Sequence, residues 1–130
     1  MSNRQEFFVD GMSTPISHYC DAVRFKDMLF ISGIAPTDSA GNVVGPGDAV
    51  AQTRQILDNM KAALTAAGAS FGDILRVTVY LTDIDDRVPI NTVRKEYFGA
   101  AYPASTLVEV SKLALPGMVV EIEAIVGLPG

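Results

Sequence analysis

Residues 102–126, YPASTLVEVSKLALPGMVVEIEAIV, constrain this chain more than any other stretch. Over residues 105–111, Ser105, Leu107, Glu109 and Ser111 alternate with Thr106, Val108 and Val110. Over residues 118–126, Val120, Ile122, Ala124 and Val126 alternate with Glu121 and Glu123. Side chains at this period point to opposite faces of a pleated strand, so each run predicts a half-buried strand. The stretch therefore predicts two strands joined by a short loop at Pro116-Gly117. Two carboxylates on so apolar a strand call for a reason, because a charge beside a core is costly unless it is bonded, paired or used. The spacing fits either the solvated side of an antiparallel layer or a pair of acids kept for chemistry.

A chain of 130 residues is one domain with room for a real core. Nearly half its residues are apolar and 19% are charged, a globular composition. Net charge is −5 with no Lys/Arg run, which argues against nucleic acid as the main partner. No apolar run is long enough to span a bilayer, and MSNRQEFFVDGMSTP lacks the order of a signal peptide. The lone Cys20 leaves no intrachain disulfide and suits a reducing cytoplasm. His18 and Cys20 together are too few ligands for a zinc site.

Along the chain, strands are expected at residues 6–9, 18–25 and 28–32, the second and third joined tightly at Lys26-Asp27. MLFIS is continuously apolar, as in a strand covered on both faces. Residues 33–47 read as a surface loop. Asp48 is placed to cap a helix running to about Ala67, with Val50, Leu57 and Leu64 on its buried stripe and Gly68 ending it. Arg54, Asp58 and Lys61 lie off that stripe at spacings for charge pairs along the helix.

Residues 74–82 alternate with Leu75, Val77, Val79 and Leu81 on one face. Asp85 or Asp86 then caps a second helix ending near Gly99, with Val88, Ile90, Val93, Tyr97 and Phe98 covering one side and Pro89 in the first turn. The order β-β-β-α-β-α-β-β predicts an α/β (α+β) fold, a mixed sheet with both helices on one face. Nothing in the chain is left to cover the other face, so self-association is the simplest expectation.

The chain resembles the Rid (RidA/YjgF) family, also labelled endoribonuclease L-PSP. The resemblance runs over roughly residues 15–126, through Pro15-Ile16, Tyr19, Ala22-Val23, Phe30-Ile31-Ser32-Gly33 and Gln52-Thr53-Arg54-Gln55-Ile56-Leu57. It continues in Ala66-Ala67-Gly68-Ala69-Ser70, Thr78-Val79-Tyr80-Leu81-Thr82-Asp83, Asn91, Phe98, Pro103-Ala104 and Val120-Glu121-Ile122-Glu123-Ala124. It implies a chorismate-mutase-like fold, a homotrimer with clefts between neighbours, and hydrolysis of enamines or imines without metal or organic cofactor. It also implies that Tyr19, Ser32, Gly33, Asn91 and Glu121 line the cleft, with Glu121 as the catalytic acid–base and Glu123 at an interface or sheet face. Backbone N–H groups near Gly33 and Ser105 would hold a carboxylate or developing charge.

The family pattern Pro-Ala-Arg-Ser is here Pro103-Ala104-Ser105-Thr106, so the arginine that clamps a substrate carboxylate is replaced by Ser105. Leu107 stands where the family carries a cysteine. A serine supplies one hydrogen bond and no charge. Arg94, three residues after Asn91 on the second helix, is the candidate replacement; Lys112 and Arg24 are weaker ones. A dicarboxylate enamine, 2-aminomuconate, is the specific substrate expected; 2-aminoacrylate or 2-iminopropanoate is the alternative. A ribonuclease and a non-catalytic trimer that binds small carboxylates are readings from other classes.

Overall fold

The computed structural model describes residues 3–130. Six strands and two helices follow the expected order: β1 (Arg4–Phe7), β2 (Ala22–Phe25), β3 (Met28–Ile34), α1 (Ala49–Ala66), β4 (Ile74–Leu81), α2 (Arg87–Phe98), β5 (Ala104–Glu109) and β6 (Val120–Gly127). They form one mixed sheet in the order β1-β2-β3-β6-β4-β5.

The connection expected to be a short loop at Pro116-Gly117 instead spans residues 110–119, between the end of β5 and the start of β6. β5 and β6 are not neighbours, because β4 lies between them. β5 runs parallel to β4, and parallel strands need a crossover, which α2 provides. β6 is antiparallel to both β3 and β4 and fills the gap that the α1 crossover leaves between them.

The start of β6 is fixed by Gln52, a fully buried residue of α1. Its side chain donates to the carbonyls of Gly45 and Gly117 and accepts from Val119 N–H at 2.8 Å. A one-residue slip would turn every β6 side chain to the other face. With the register held, Val120, Ile122, Ala124 and Val126 enter the core and Glu121 and Glu123 face the other way, as the alternation predicts.

The core lies between this sheet face and the helices, on Ile56, Leu57, Met60 and Leu64 of α1 and Ile90 and Val93 of α2. Val50 and Val88, expected on the buried stripes, are exposed. The α1 stripe instead follows Ala49, Gln52, Thr53 and Ile56. Asp48 caps α1 through Ala51 N–H at 3.0 Å. Asp86 sits at the N-cap of α2 without a side-chain bond; Asp83 instead bonds Asp85 N–H in the 3₁₀ turn before it. Arg54 and Asp58 pair between helices rather than along one, with Glu96 and Tyr97 of α2.

Other differences have local causes. β1 stops at Phe7 because the Asp21 carboxylate takes the Val9 N–H at 2.7 Å. β2 begins only at Ala22, since residues 17–21 bend away before the ladder forms. Irregular pairing between Ile74 and Arg76 inverts the phase of β4 at its start, so Ile74 is buried and Leu75 is 52% exposed. β3 is covered on one face only: Leu29, Ile31 and Ile34 are buried, whereas Phe30 is 46% exposed. Phe30 shares its open face with Val23, Ile125 and Phe25. Among the described residues no helix is long and apolar enough to cross a membrane.

Candidate functional site

The pairing of β3 with β6 is irregular between Ile31 and Ile34, and Ser32 and Gly33 occupy the irregular step. Such steps re-aim side chains, and they are frequent beside active sites. Glu121 of β6 lies across this one. A Cβ built on Gly33 would come within 2.6 Å of Glu121 Oε2 and 2.9 Å of its carboxyl carbon. The missing side chain of Gly33 is the space that the Glu121 carboxylate uses.

Glu121 is half-buried, and that burial raises its carboxyl above the usual value. The negative charge of Glu123, two residues along the same face, raises it further. Glu123 is itself engaged by the Tyr80 hydroxyl of β4, and this bond holds the tyrosine proton more tightly. Tyr80 is a site residue that the sequence reading left out. Its signal was present, since alternation puts Tyr80 on the open face of β4, but the β4–β6 register was needed to see its partner.

Ser32 donates its hydroxyl proton to the Cys20 carbonyl at 2.7 Å. Toward a ligand it can therefore only accept, and it ties down the loop that carries Tyr19. Tyr19 is 44% exposed, and its hydroxyl accepts from Ile16 N–H at 3.4 Å. A groove of about 620 Å³ on the open face is lined by Phe8, His18, Tyr19, Cys20, Val23 and Ser32, among others. A smaller hollow of about 30 Å³ lies behind Ser32 and Gly33, against Asp21, Thr37 and Asn59. Glu121 lines neither.

The remaining candidates lie elsewhere. Ser105 pairs with Val77, whose side chain is in the core, so Ser105 points to the helix side of the sheet. There Arg94 of α2 donates to Ser105 Oγ at 3.0 Å. Thr106 takes the opposite face, opposite Thr78, and accepts from Arg76. Asn91 is exposed one turn before Arg94. Arg24 is occupied by the Lys26 carbonyl at 2.8 Å, and Lys112 is exposed on the loop before β6.

One chain thus brings Glu121, Gly33, Ser32 and Tyr19 to the open side of the sheet and puts Asn91, Arg94 and Ser105 at its far edge on the helix side. The sheet itself separates the two groups.

Comparison with known proteins agrees with this architecture. The chain is 43% identical to a RutC family protein of Pyrococcus horikoshii, over 94% of this chain and 96% of that one. It is 36% identical to a protein of Acinetobacter baylyi named 3-aminoacrylate deaminase RutC, over 89% of this chain and 91% of that one. Among solved structures, a Rid-family protein from Yersinia pestis superposes with a TM-score of 0.91 at 33% identity, over 96% of this chain and 99% of that one. The E. coli YjgF protein does so with 0.85 at 34% identity, over 95% and 98%. The family model described as endoribonuclease L-PSP matches residues 11–128, and on this match the chain belongs to that family, the Rid proteins.

Proposed function

We propose that the protein is a cofactor-independent deaminase that hydrolyses an enamine or imine carboxylate to the oxo acid and ammonia. The observation that carries this reading is Glu121, half-buried over the bare backbone of Gly33 and pushed toward neutrality by burial and by Glu123. A relative at 36% identity bears the name 3-aminoacrylate deaminase, which supports the same chemistry.

The enamine is first protonated at carbon by a proton from solvent to give its iminium ion. Glu121, as carboxylate, takes a proton from water as the oxygen bonds to the imine carbon and the C=N electron pair moves to nitrogen. The protonated Glu121 then returns that proton to nitrogen; as the C–N bond breaks the hydroxyl proton passes to solvent, balancing the one taken up at carbon, and the carbonyl and ammonia are released. One water is consumed and the carboxylate is regenerated. Tyr19 closes over the substrate, and the backbone at Gly33 and the Asn91 side chain orient it.

Because the sheet separates Glu121 from Asn91, Arg94 and Ser105, the full site is built from two copies of the chain in a homotrimer. The exposed apolar face around Phe25 and Phe30 is the surface such an assembly would cover. We place the enzyme in the cytoplasm, with no nucleic acid partner. Within the substrate class we place 2-aminomuconate first and 2-aminoacrylate or 2-iminopropanoate second.

The test is ammonia release from 2-aminomuconate and 2-iminopropanoate. Glu121→Gln should lower kcat about 10²- to 10⁴-fold, the usual range for removing a general base. Undiminished turnover in that variant would remove Glu121 from the reaction. Binding of carboxylates without turnover would leave a non-catalytic binding protein.

A further inference from the structure

Asp21 is only 7% exposed, and no Lys, Arg or His among the described residues pairs with it. Its Oδ2 accepts from Val9 N–H at 2.7 Å, while Oδ1 takes no hydrogen bond from the described residues. A buried carboxylate is costly unless it is paired, and a single backbone N–H leaves much of that cost standing.

Asp21 forms part of the wall of the hollow of about 30 Å³ behind Ser32 and Gly33, together with Ser13, Thr37 and Asn59 and with no Lys, Arg or His. That is room for one or two water-sized occupants, since each needs roughly 10–15 Å³. The protons of this wall are largely spent. Asn59 gives both amide N–H bonds to the carbonyls of Ala35 and Thr37, at 3.3 and 3.0 Å. Ser32 gives its hydroxyl proton to the Cys20 carbonyl. Ser13 and Thr37 bond each other at 3.0 Å, so one of their two protons is used and both oxygens keep lone pairs. Such a wall is short of donors and of positive charge. Water brings two protons and no charge; ammonium, of nearly the same size, brings four protons and the charge.

We propose that this hollow binds a monovalent cation of water size, ammonium first, held by Asp21 Oδ1 and the hydroxyl oxygens of Ser13 and Thr37. A divalent ion gathers roughly six to eight oxygens, several of them from carboxylates. Asp21 is the one carboxylate of this wall, and among the described residues no three His, Cys, Asp or Glu come together to hold a metal. Potassium, close to ammonium in size, is the competing occupant. Gly33 belongs both to the hollow and to the seat of Glu121, so the cation and the Glu121 carboxylate flank the same residue. The site stands on Asp21 and the hollow and does not need the deaminase reading; under that reading ammonium is also the protonated product.

The experiment is thermal melting of the full chain at fixed protein and fixed chloride concentration, with ammonium, potassium or tetramethylammonium as the cation. Tetramethylammonium carries the same charge but has no N–H and is too large for the hollow. Ammonium should raise the melting temperature above that in tetramethylammonium, by about 4 °C at roughly ten times its half-saturating concentration. Asp21→Asn keeps an oxygen for Val9 N–H, removes the charge and should abolish the difference. Thr37→Val leaves Asp21 in place and should weaken ammonium about 10-fold, the scale of one hydrogen bond to a charge; it decides the matter if Asp21→Asn does not fold. Equal shifts in potassium and ammonium would keep the cation site and make potassium its resident. Equal melting in all three salts, or an ammonium shift unchanged in the folded variants, would overturn the site. Turnover enters none of these readouts, so failure of the deaminase reading would leave the site standing.

Discussion

Tyr80 and Glu121 stand directly opposite each other across the β4–β6 ladder, yet the Tyr80 hydroxyl bonds Glu123, two residues farther along. Glu121 is turned the other way, across Gly33 of β3. The two carboxylates of β6 share a face and are splayed apart by different neighbours. Glu123 is thereby held as a fixed negative charge near Glu121, whose proton affinity it raises.

This arrangement sets a sign for the pH profile. In the proposed reaction Glu121 works as a base, so kcat/KM should rise with pH as its carboxyl ionises. Glu123→Gln keeps an acceptor for Tyr80 but removes the charge. The acid limb of kcat/KM should therefore move to lower pH. A limb that stays in place, or moves up, would show that Glu123 does not tune Glu121.

Gly33→Ala tests the space rather than the charge. The added methyl would lie 2.6 Å from Glu121 Oε2, and the flexible end of the glutamate must give way. Because the backbone need not move, the variant should melt close to wild type. Activity should fall on the order of 100-fold, as it does when a catalytic group is displaced by about an ångström. Full activity in a folded Gly33→Ala protein would mean that the carboxylate's position over Gly33 is irrelevant to turnover.

Stability carries the same signature in another form. The Glu121 carboxyl is raised in the folded chain, so the folded state binds its proton more tightly than the unfolded state. Such a group reduces stability as pH climbs from the ordinary carboxylate range through its raised value. Glu121→Gln should therefore gain melting temperature relative to wild type at neutral pH, and the gain should shrink as the pH is lowered below that range. Melting curves at a series of pH values, at fixed protein concentration, measure it. A gain that is constant with pH would place Glu121 in a solvated setting.

Much of this was legible from the chain alone. The alternation of Val120, Ile122, Ala124 and Val126 against Glu121 and Glu123 gave the faces of β6 correctly, since period-two patterning survives any choice of neighbours. The strand's place in the sheet was not legible. A Pro-Gly loop between two strands suggests adjacency, but the α2 crossover commits β5 to the edge beside β4 and leaves the central slot to β6. Leu75 misled for a related reason, because the irregular step between Ile74 and Arg76 shifts the phase without altering the sequence pattern. Arg94 was picked out as a cation near Asn91, while its bond to Ser105 depends on how α2 lies against the edge strand. Local pattern specifies which face a residue takes; the crossovers decide whom it meets.

The central claim is that an acid on β6 of one copy works on a substrate held by α2 and β5 of another. It is tested most directly by mixing two defective proteins. Glu121→Gln lacks the acid and Arg94→Met lacks the arginine expected to hold the substrate carboxylate, and each alone should turn over 2-aminomuconate poorly. Co-refolded in equal amounts, they should regain activity, since in a closed ring roughly a quarter of the shared sites would inherit both intact residues. Activity that stays at the level of the separate variants, in assemblies shown to contain both chains, would contradict the account.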